Sequence, residues 1–233
     1  MTTFQRARNE EQRRLRRQAI LDTADAMLAE SPVSQVSLNE LSRRVGLAKS
    51  NVLRYFDSRE AILLELLHTK WADWLANLPE PTEPDTAPVA VRVGASAHLL
   101  ATTLSARPTL CDLLSAQAAV LERNVSPEVA ATFKRTAQED LAGLAAVLSR
   151  HLPELGEADA QRLAAAIMLT AGAVWNHAHP SAAMLTAYEQ HPELTLLKLD
   201  FAATVEDLVA VLAAGVLARP SRGPTRPSPR AAG

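Results

Sequence analysis

Apolar residues recur at helical spacing through most of the chain, most clearly between residues 37 and 60. Leu38 and Leu41 fall on one face of a predicted helix, and Ser37 followed by Glu40 marks its start. In such a capping box the serine hydroxyl accepts a hydrogen bond from a free backbone amide of the first turn. The glutamate carboxylate in turn accepts a hydrogen bond from the backbone amide of the cap residue. The pattern therefore predicts a helix with a defined first residue and one buried face.

A second short helix is predicted directly after the first, over residues 48 to 55. Gly46 stands where a left-handed residue commonly ends a helix, so a tight turn is expected between the two. The predicted second helix buries Val52 and presents a mixed set of charged, polar and small groups. These outward residues are Lys49, Ser50, Asn51, Leu53 and Arg54. Such a face suits the major groove of duplex DNA, although a helical hairpin with a solvated outer side would show the same pattern.

The rest of the chain also shows helical periodicity. An arginine-rich lead-in precedes an amphipathic first helix, and further helices are predicted from both the apolar spacing and the prolines that interrupt it. They cover residues 58–78, 89–106, 109–123, 127–152, 158–177 and 200–218. Four prolines make residues 79–88 a loop, and no alternating strand pattern occurs. The sequence predicts an all-α protein of about nine helices.

The paired short helices and their flanking segments resemble the tetracycline-repressor (TetR) family over roughly residues 13 to 66. The residues that match the family's motif are Gly46, Lys49, Tyr55, Phe56, Arg59 and Glu60. The resemblance implies an N-terminal three-helix DNA-binding domain with a helix-turn-helix, followed by a C-terminal helical bundle for ligand binding and dimerisation.

Three positions depart from the family's usual pattern. Ala48 replaces the Ser or Thr that opens the recognition helix, so that cap is missing. Leu53 stands where a phosphate-binding Tyr is common, and its side chain could instead touch a thymine methyl. Arg44 replaces a frequent Ala and offers an additional backbone contact. The motif is retained, but an operator cannot be transferred from a relative.

The outward side chains divide by their expected contacts with DNA. Lys49, Asn51 and Arg54 are candidates for base edges, with Ser50 and Leu53 beside them. Phosphate contacts are expected from Ser37, Arg43, Arg44, Tyr55 and Arg59.

Charge is distributed unevenly along a chain whose net charge is -2. Residues 1–60 carry 11 Lys and Arg against 8 Asp and Glu, whereas residues 61–218 carry 9 against 18. A basic end on an acidic body orients that end toward phosphates. With the roles that the TetR resemblance implies, we expect a DNA-binding domain at 1–60 and a ligand-binding and dimerisation domain at 61–218. Residues 219–233 are mostly Arg, Pro, Gly and Ser with little to bury, so a disordered tail is expected there.

Two Ala-rich helices in the second half are candidates for a homodimer interface. The predicted helices at 158–177 and 200–218 carry more apolar surface than one buried face requires, and Gly172 and Gly215 permit close approach. The family resemblance implies pairing through the last two long helices as a four-helix bundle. An ordinary intrachain core would use some of the same residues.

The middle helices are expected to surround a small-molecule site. The candidates place aromatic or singly polar groups among aliphatic residues. They are Trp71, His98, Thr102, Leu113, Gln117, Leu121, Phe133, Thr136, Thr170, Trp175 and Asn176. For each residue taken alone, core packing is the favoured role, so the prediction depends on the group. A mainly apolar effector with one or two hydrogen-bonding groups is expected.

Other functional classes receive little support. His177, His179 and His191 do not provide the closed set of ligands that zinc requires, so neither a metal nor another cofactor is expected. The chain has no phosphate-binding glycine loop and no nucleophile elbow, which argues against an enzyme. The one cysteine, Cys111, lies in an apolar run and is expected to be buried. No segment has the length and composition of a membrane span, so a cytoplasmic protein is expected.

Together these features predict a ligand-responsive transcriptional regulator. We expect a repressor that binds a palindromic operator in double-stranded DNA as a homodimer and is released by the effector. A helical module that binds a small molecule or a partner without reading DNA is the alternative. The absence of a cap at Ala48 and of the usual aromatic at Leu53 gives that alternative some support.

Overall fold

The computed structural model describes residues 3–219 and, within them, all side chains except those of residues 3–8 and 197. The side chains of Arg6 and Arg8, part of the predicted basic lead-in, lie outside the described residues. The predicted disordered tail also lies outside them, apart from its first residue, Arg219.

Ten α-helices and three short 3-10 helices make up the described chain, which contains no strand between residues 3 and 219. The α-helices are α1 Thr3–Glu30, α2 Leu38–Val45, α3 Lys49–Val52, α4 Arg59–Ala76, α5 Val89–Ser105, α6 Pro108–Ala116, α7 Pro127–His151, α8 Glu157–Ala178, α9 Ala182–Gln190 and α10 Phe201–Leu217. The all-α prediction is confirmed. The additional helix is α9, which buries none of its residues although it carries exposed apolar side chains at Met184 and Leu185.

Helix α6 is shorter than the predicted helix over residues 109–123. It ends at Ala116, and the chain then turns before a 3-10 helix at Leu121–Arg123. The backbone amide of Glu122 donates to the carbonyl of Gln117 across this turn at 3.0 Å. Leu121 is fully buried. The apolar residues of this segment therefore still pack into the core, although the α-helix has already ended.

Helices α1, α2 and α3 form the head, a small unit packed around Ile20, Leu41 and Val52, each 0% exposed. Gly46 adopts a left-handed φ of 71° after α2, as the sequence predicts, and the chain reverses there. Ser37 accepts a hydrogen bond from the Glu40 amide at 3.2 Å, which confirms half of the capping box. The other half is wrong, because the Glu40 carboxylate turns outward to accept hydrogen bonds from arginines.

The body is the remainder of the bundle, and α4 joins it to the head. Helix α4 packs against α1 in the head and against α6 and α7 in the body, while α8 packs against α6, α7 and α10. Trp74 is 0% exposed, and its indole N–H donates to the Thr103 hydroxyl on α5 at 3.0 Å. Two faces of α4 therefore belong to two parts of the protein, so its position links them.

Gly172 permits the close contact between α8 and α6. A Cβ atom built at this glycine would lie 3.1 Å from the carbonyl oxygen of Leu114. Its small size is therefore used within the chain, which corrects the expectation that it serves contact between two copies. Gly215 on α10 is exposed and would meet nothing within 4 Å.

The segment containing α5 and α6 bends sharply at Pro108, the first residue of α6. Within residues 3–219, no single helix is both long and apolar enough to cross a membrane. Only α5 and α6 taken as a pair reach that length and composition, and the chain bends by 91° between them.

Candidate functional site

Helix α3 presents most of the predicted base-reading residues to solvent. Its N-cap, Ala48, has no side-chain hydrogen bond, as the sequence predicts, and the helix spans four residues rather than the predicted 48–55. Turns continue it through Tyr55, while Val52 is buried and anchors it to the head. The exposed residues of this segment are Lys49, Ser50, Asn51, Leu53 and Arg54.

A concave surface lies between α1 and α3. It encloses about 930 Å³ and is lined by Arg13 and Arg16 from α1 together with Asn51 and Arg54. Arg13 and Arg16 are absent from the sequence-predicted contact set, although their spacing of three residues places them on one helical face. A positively charged concavity beside an exposed polar helix matches the electrostatic requirements of a phosphate backbone.

Arg43 and Arg44 lie at the end of α2 and share one carboxylate. The Arg43 guanidinium donates to Glu40 at 2.6 Å, and Arg44 donates to both Glu40 and Glu30 at 2.8 and 2.7 Å. Hydrogen bonds from the two arginines lower the pKa of Glu40 to about 2. Arg43 remains exposed and available to solvent, whereas Arg44 is held between two acids. Ser37, at the other end of the helix, is exposed, but its hydroxyl already accepts a hydrogen bond from the Glu40 amide.

Arg59 and Tyr55 are more enclosed than the sequence suggests. The Arg59 guanidinium donates to the Val36 carbonyl at 2.7 Å and pairs with Glu60, and its side chain is only 19% exposed. It fastens the first turn of α4 to the head, so the structure offers no support for the predicted phosphate contact at Arg59. The Tyr55 side chain is half-buried at the rim of the concave surface.

Polar contacts connect the head to α4 and to the body, and we call this region the junction. Arg17 of α1 pairs with Glu65 of α4, and its guanidinium stacks on the Phe56 ring at 4.0 Å. Lys70 of α4 pairs with Asp25 of α1 at 2.5 Å. These contacts hold α1 against α4 along two turns.

Two further junction contacts join the head directly to α6 and α7. The buried Val33 amide donates to the Asp112 carboxylate of α6 at 2.7 Å. The Ser126 hydroxyl, which caps α7, donates to Asp57 at 3.4 Å. A displacement of either body helix therefore acts on the segments that flank α2 and α3.

Part of the predicted ligand set meets at one small central void. Trp71, Gln117 and Phe133 line this void of about 20 Å³ between α4, α6, α7 and α8. The other lining residues are Leu67, Leu114, Ala137, Asp140 and Met168. The Trp71 indole donates to the Asp140 carbonyl at 3.1 Å, and the Gln117 amide donates to Glu122 at 2.8 Å. The void has room for little more than one water molecule.

The remaining predicted ligand residues are dispersed, so the prediction that all of them line one small-molecule site is wrong. Leu113 and Leu121 are 0% exposed in the core. Thr136, with Phe133, lines an open groove of about 560 Å³ at the junction.

The other five candidates lie apart from both the void and that groove. Trp175 and Asn176 line a different groove near α9, and Thr170 is half-buried on α8. His98 and Thr102 line a pocket beneath the loop at residues 79–88.

This last space, which we call the far-end pocket, lies where α4 ends, away from the head. It encloses about 250 Å³ and contains two residues that the sequence reasoning missed, Arg92 and His151. Arg92 is 4% exposed, donates to the Ala87 carbonyl at 3.2 Å and pairs with Glu154. Its Nη1 atom and the Nε2 atom of His151 are the two buried side-chain nitrogen or oxygen atoms without a hydrogen-bond partner among the described residues.

The sequence did contain a signal for both residues. Arg92 lies four residues before Ser96 and eight before Leu100, in register with the buried face of α5. His151 follows the buried Leu148 by three residues on α7. Burial lowers the pKa of His151, which therefore favours the neutral imidazole.

Possible metal ligands and the single cysteine were the remaining chemical groups of interest. No group of three or more His, Cys, Asp or Glu residues within it is placed to hold a metal ion. Cys111 is buried as expected, and burial, together with the charge of Asp112, raises its thiol pKa to about 12. Such a thiol is protonated and unreactive at neutral pH.

Comparison with known proteins identifies both halves of the chain. Residues 20–66 match the family described as bacterial regulatory proteins, tetR family. Residues 68–220 match the tetracyclin repressor-like C-terminal domain. No curated protein sequence gives a significant match.

Solved structures share the fold along nearly their whole length. A TetR transcriptional regulator from Rhodococcus sp. RHA1 is 12% identical with a TM-score of 0.55, over 88% of this chain and 96% of that one. A possible TetR family regulator from Streptomyces coelicolor A3(2) is 17% identical with a TM-score of 0.55, over 86% and 98%. The regulator FadR from Bacillus subtilis, in complex with stearoyl-CoA, is 15% identical with a TM-score of 0.50, over 85% and 98%.

Proposed function

This chain belongs to the tetR family of bacterial regulatory proteins, which regulate transcription by binding DNA, and from that premise we propose that it is an effector-released repressor. It would bind a palindromic operator as a homodimer and leave it when a small, mainly apolar molecule binds the body. The observation that carries the DNA-binding part is the exposed polar face of α3 beside the arginines of α1. Family membership favours this function over the alternative of a helical module that does not read DNA.

The proposed contacts with DNA follow from exposure. Lys49, Asn51 and Arg54 would reach base edges because they are exposed on α3 and on the turn that follows it, and the buried Val52 anchors this segment to the head. Arg13 and Arg16 would hold the phosphates at the other wall of the concave surface. Arg43 and Ser37 would add contacts at the two ends of α2.

Exposed apolar side chains on α8 and α10 support the homodimer. Leu169 on α8 is 67% exposed, and Leu208 and Val211 on α10 are 38% and 61% exposed. A second copy of the chain would remove these side chains from water, and two-fold pairing would place two heads side by side. Each head would then occupy a half-site, with the half-sites about one helical turn apart (~34 Å) or slightly more.

The effector site is proposed at the central void and the groove at the junction. Phe133 lines both the small void and the larger groove. A rotation of this ring would join them, and a ligand there would press on α4 beside Trp71. The acyl ligand held by FadR shows what a similar fold can accommodate, but a long chain would require the void to expand greatly.

Binding to the DNA upstream of its own gene tests the proposal. We expect a gel shift that resists competitor DNA and weakens with salt. Lys49→Ala and Asn51→Ala should abolish the shift, whereas Arg135→Ala, at an exposed site on α7, should leave it intact. Equal binding by all three variants would support a function that does not involve reading DNA.

The assembly needs a separate test. Val211→Lys should convert the dimer to a monomer in light scattering, because it places a charge in the proposed interface. Val91→Lys is the matched control, since Val91 is 48% exposed on α5. A wild-type monomer at micromolar concentration would contradict the dimer.

A further inference from the structure

We propose that the far-end pocket binds a small carboxylate whose body is apolar, through Arg92 Nη1 and His151 Nε2. The two orphan nitrogens come from different helices, α5 and α7, yet both residues line the same 250 Å³ space. This site is separate from the central void and from the groove at the junction, and its binding can be measured without DNA.

The unpartnered atoms indicate an occupant. A buried nitrogen without an acceptor is costly, and most native proteins provide a partner for each such atom. Arg92 already satisfies two other nitrogens, since Nε donates to Ala87 and Nη2 pairs with Glu154. Arg92 Nη1 and His151 Nε2 remain without a hydrogen-bond partner, although the Pro79 backbone interacts with the imidazole and partly offsets the lowering of its pKa by burial. An acceptor bound in the pocket that both residues line would satisfy the two nitrogens.

The shape and walls of the pocket restrict the type of molecule. Apolar groups from Pro79, Pro81, Ala95 and Leu99 line it beside the two nitrogens. The volume suits a single ring or a short acyl chain and excludes a long one. Guanidinium groups match carboxylates geometrically, so a carboxylate placed at the polar end and an apolar body against the prolines fit both features.

The surrounding charges permit an anion. Of the acidic residues in the wall, Glu80 is drawn outward by Arg150 at 3.4 Å and its side chain is 76% exposed. Glu83 also lines the pocket and opposes an anion. His98, likewise in the wall, pairs with Glu206 at 2.9 Å. Glu154 neutralises Arg92, so His151 would take up a proton when the carboxylate binds and so supply the balancing charge.

Titration of the full chain with benzoate tests the site. Calorimetry should show one benzoate per chain, and ¹⁵N spectra should show the His151 imidazole shifting as it saturates. Arg92→Met and His151→Phe should each weaken binding at least tenfold. Arg162→Met, which removes an arginine from an ion pair on α8, should not change it. Glu83→Gln should tighten binding, because it removes a carboxylate from the pocket wall.

Related probes separate carboxylate recognition from its alternatives. Benzamide retains the ring and a carbonyl but lacks the charge, and it should bind at least tenfold more weakly than benzoate. If benzamide binds as tightly as benzoate, or inorganic phosphate binds more tightly than benzoate, the proposal that the pocket recognises a carboxylate is overturned. Benzoate binding that survives both Arg92→Met and His151→Phe, or no binding at all, would overturn the site. If Arg92→Met fails to fold, the other two variants still test the site, because His151→Phe should weaken benzoate binding and Glu83→Gln should tighten it.

Discussion

The junction and the far-end pocket lie at the two ends of α4, and they treat buried polar groups in opposite ways. At the junction, the Val33 amide meets the Asp112 carboxylate, and Arg17 and Lys70 meet acids on the neighbouring helix. At the far end, two donor atoms of Arg92 and His151 have no partner within the chain. The named polar groups of the junction find their partners within the chain, whereas two of those at the far end do not.

The difference follows from where each region obtains its partners. Contacts between two parts of one chain can be satisfied permanently, and this fixes the orientation of the head on α4. A site that takes a molecule from solution must leave donors open when it is empty. Removing a polar group should therefore be costly at the junction and nearly neutral at the far end.

The largest effect is expected from Asp112→Ala. This change leaves the buried Val33 amide without an acceptor and should lower the free energy of unfolding by about 1–3 kcal/mol in urea denaturation. Asp112→Asn retains an acceptor oxygen and should recover most of the loss. Equal losses in both variants would mean that the negative charge, rather than hydrogen-bond acceptance, stabilises the junction.

A smaller effect should appear as a pH dependence at the far end. Burial lowers the pKa of His151 in the folded chain, so the unfolded chain takes up the proton first on acidification. The free energy of unfolding should therefore fall as the pH drops below about 6.5 and level off below the folded-state pKa. His151→Phe should reduce this loss, whereas His177→Gln, at an exposed site on α8, should not.

The pair formed by Lys70 and Asp25 should contribute less. Its side chains are 30% and 37% exposed, so solvent and salt screen the attraction. Lys70→Met should lower the free energy of unfolding by about 0.2–1 kcal/mol, and the loss should shrink in high salt. A loss that salt does not alter would indicate that the lysine acts through packing of its aliphatic stem.

The smallest effect on stability is expected from Arg92→Met. The change removes an unpartnered buried nitrogen and leaves Glu154, whose side chain is 42% exposed and can be solvated. The free energy of unfolding should change by less than about 1 kcal/mol, in either direction. A loss as large as that of Asp112→Ala would remove the contrast between the two ends of α4.

The head was predictable from the sequence because local rules determine it. The Ser37 cap, the left-handed Gly46 and the buried Val52 each follow from residues within a few positions of one another. The Glu40 carboxylate was the exception, since two arginines on the next turn compete for it.

The body was predictable as helices but not as a site. Trp71, Gln117 and Phe133 meet because three different helices or their ends converge, and helical period alone does not fix that convergence. His98 has the same aromatic and polar character, yet it lies on an exposed face and contacts Glu206 of α10. Helix α9 was missed for a related reason, since it buries none of its residues.

Gly172, whose side chain is a single hydrogen atom, limits which substitutions this protein can accept during evolution. Its neighbour across the helix contact is the backbone of α6 near Leu114, which cannot rotate away as a side chain can. Any larger residue there must shift α6, and α6 also carries Asp112, the acceptor for the head. In a library of all single substitutions, position 172 should therefore tolerate almost nothing, while the exposed Arg162 on the same helix should accept many residues.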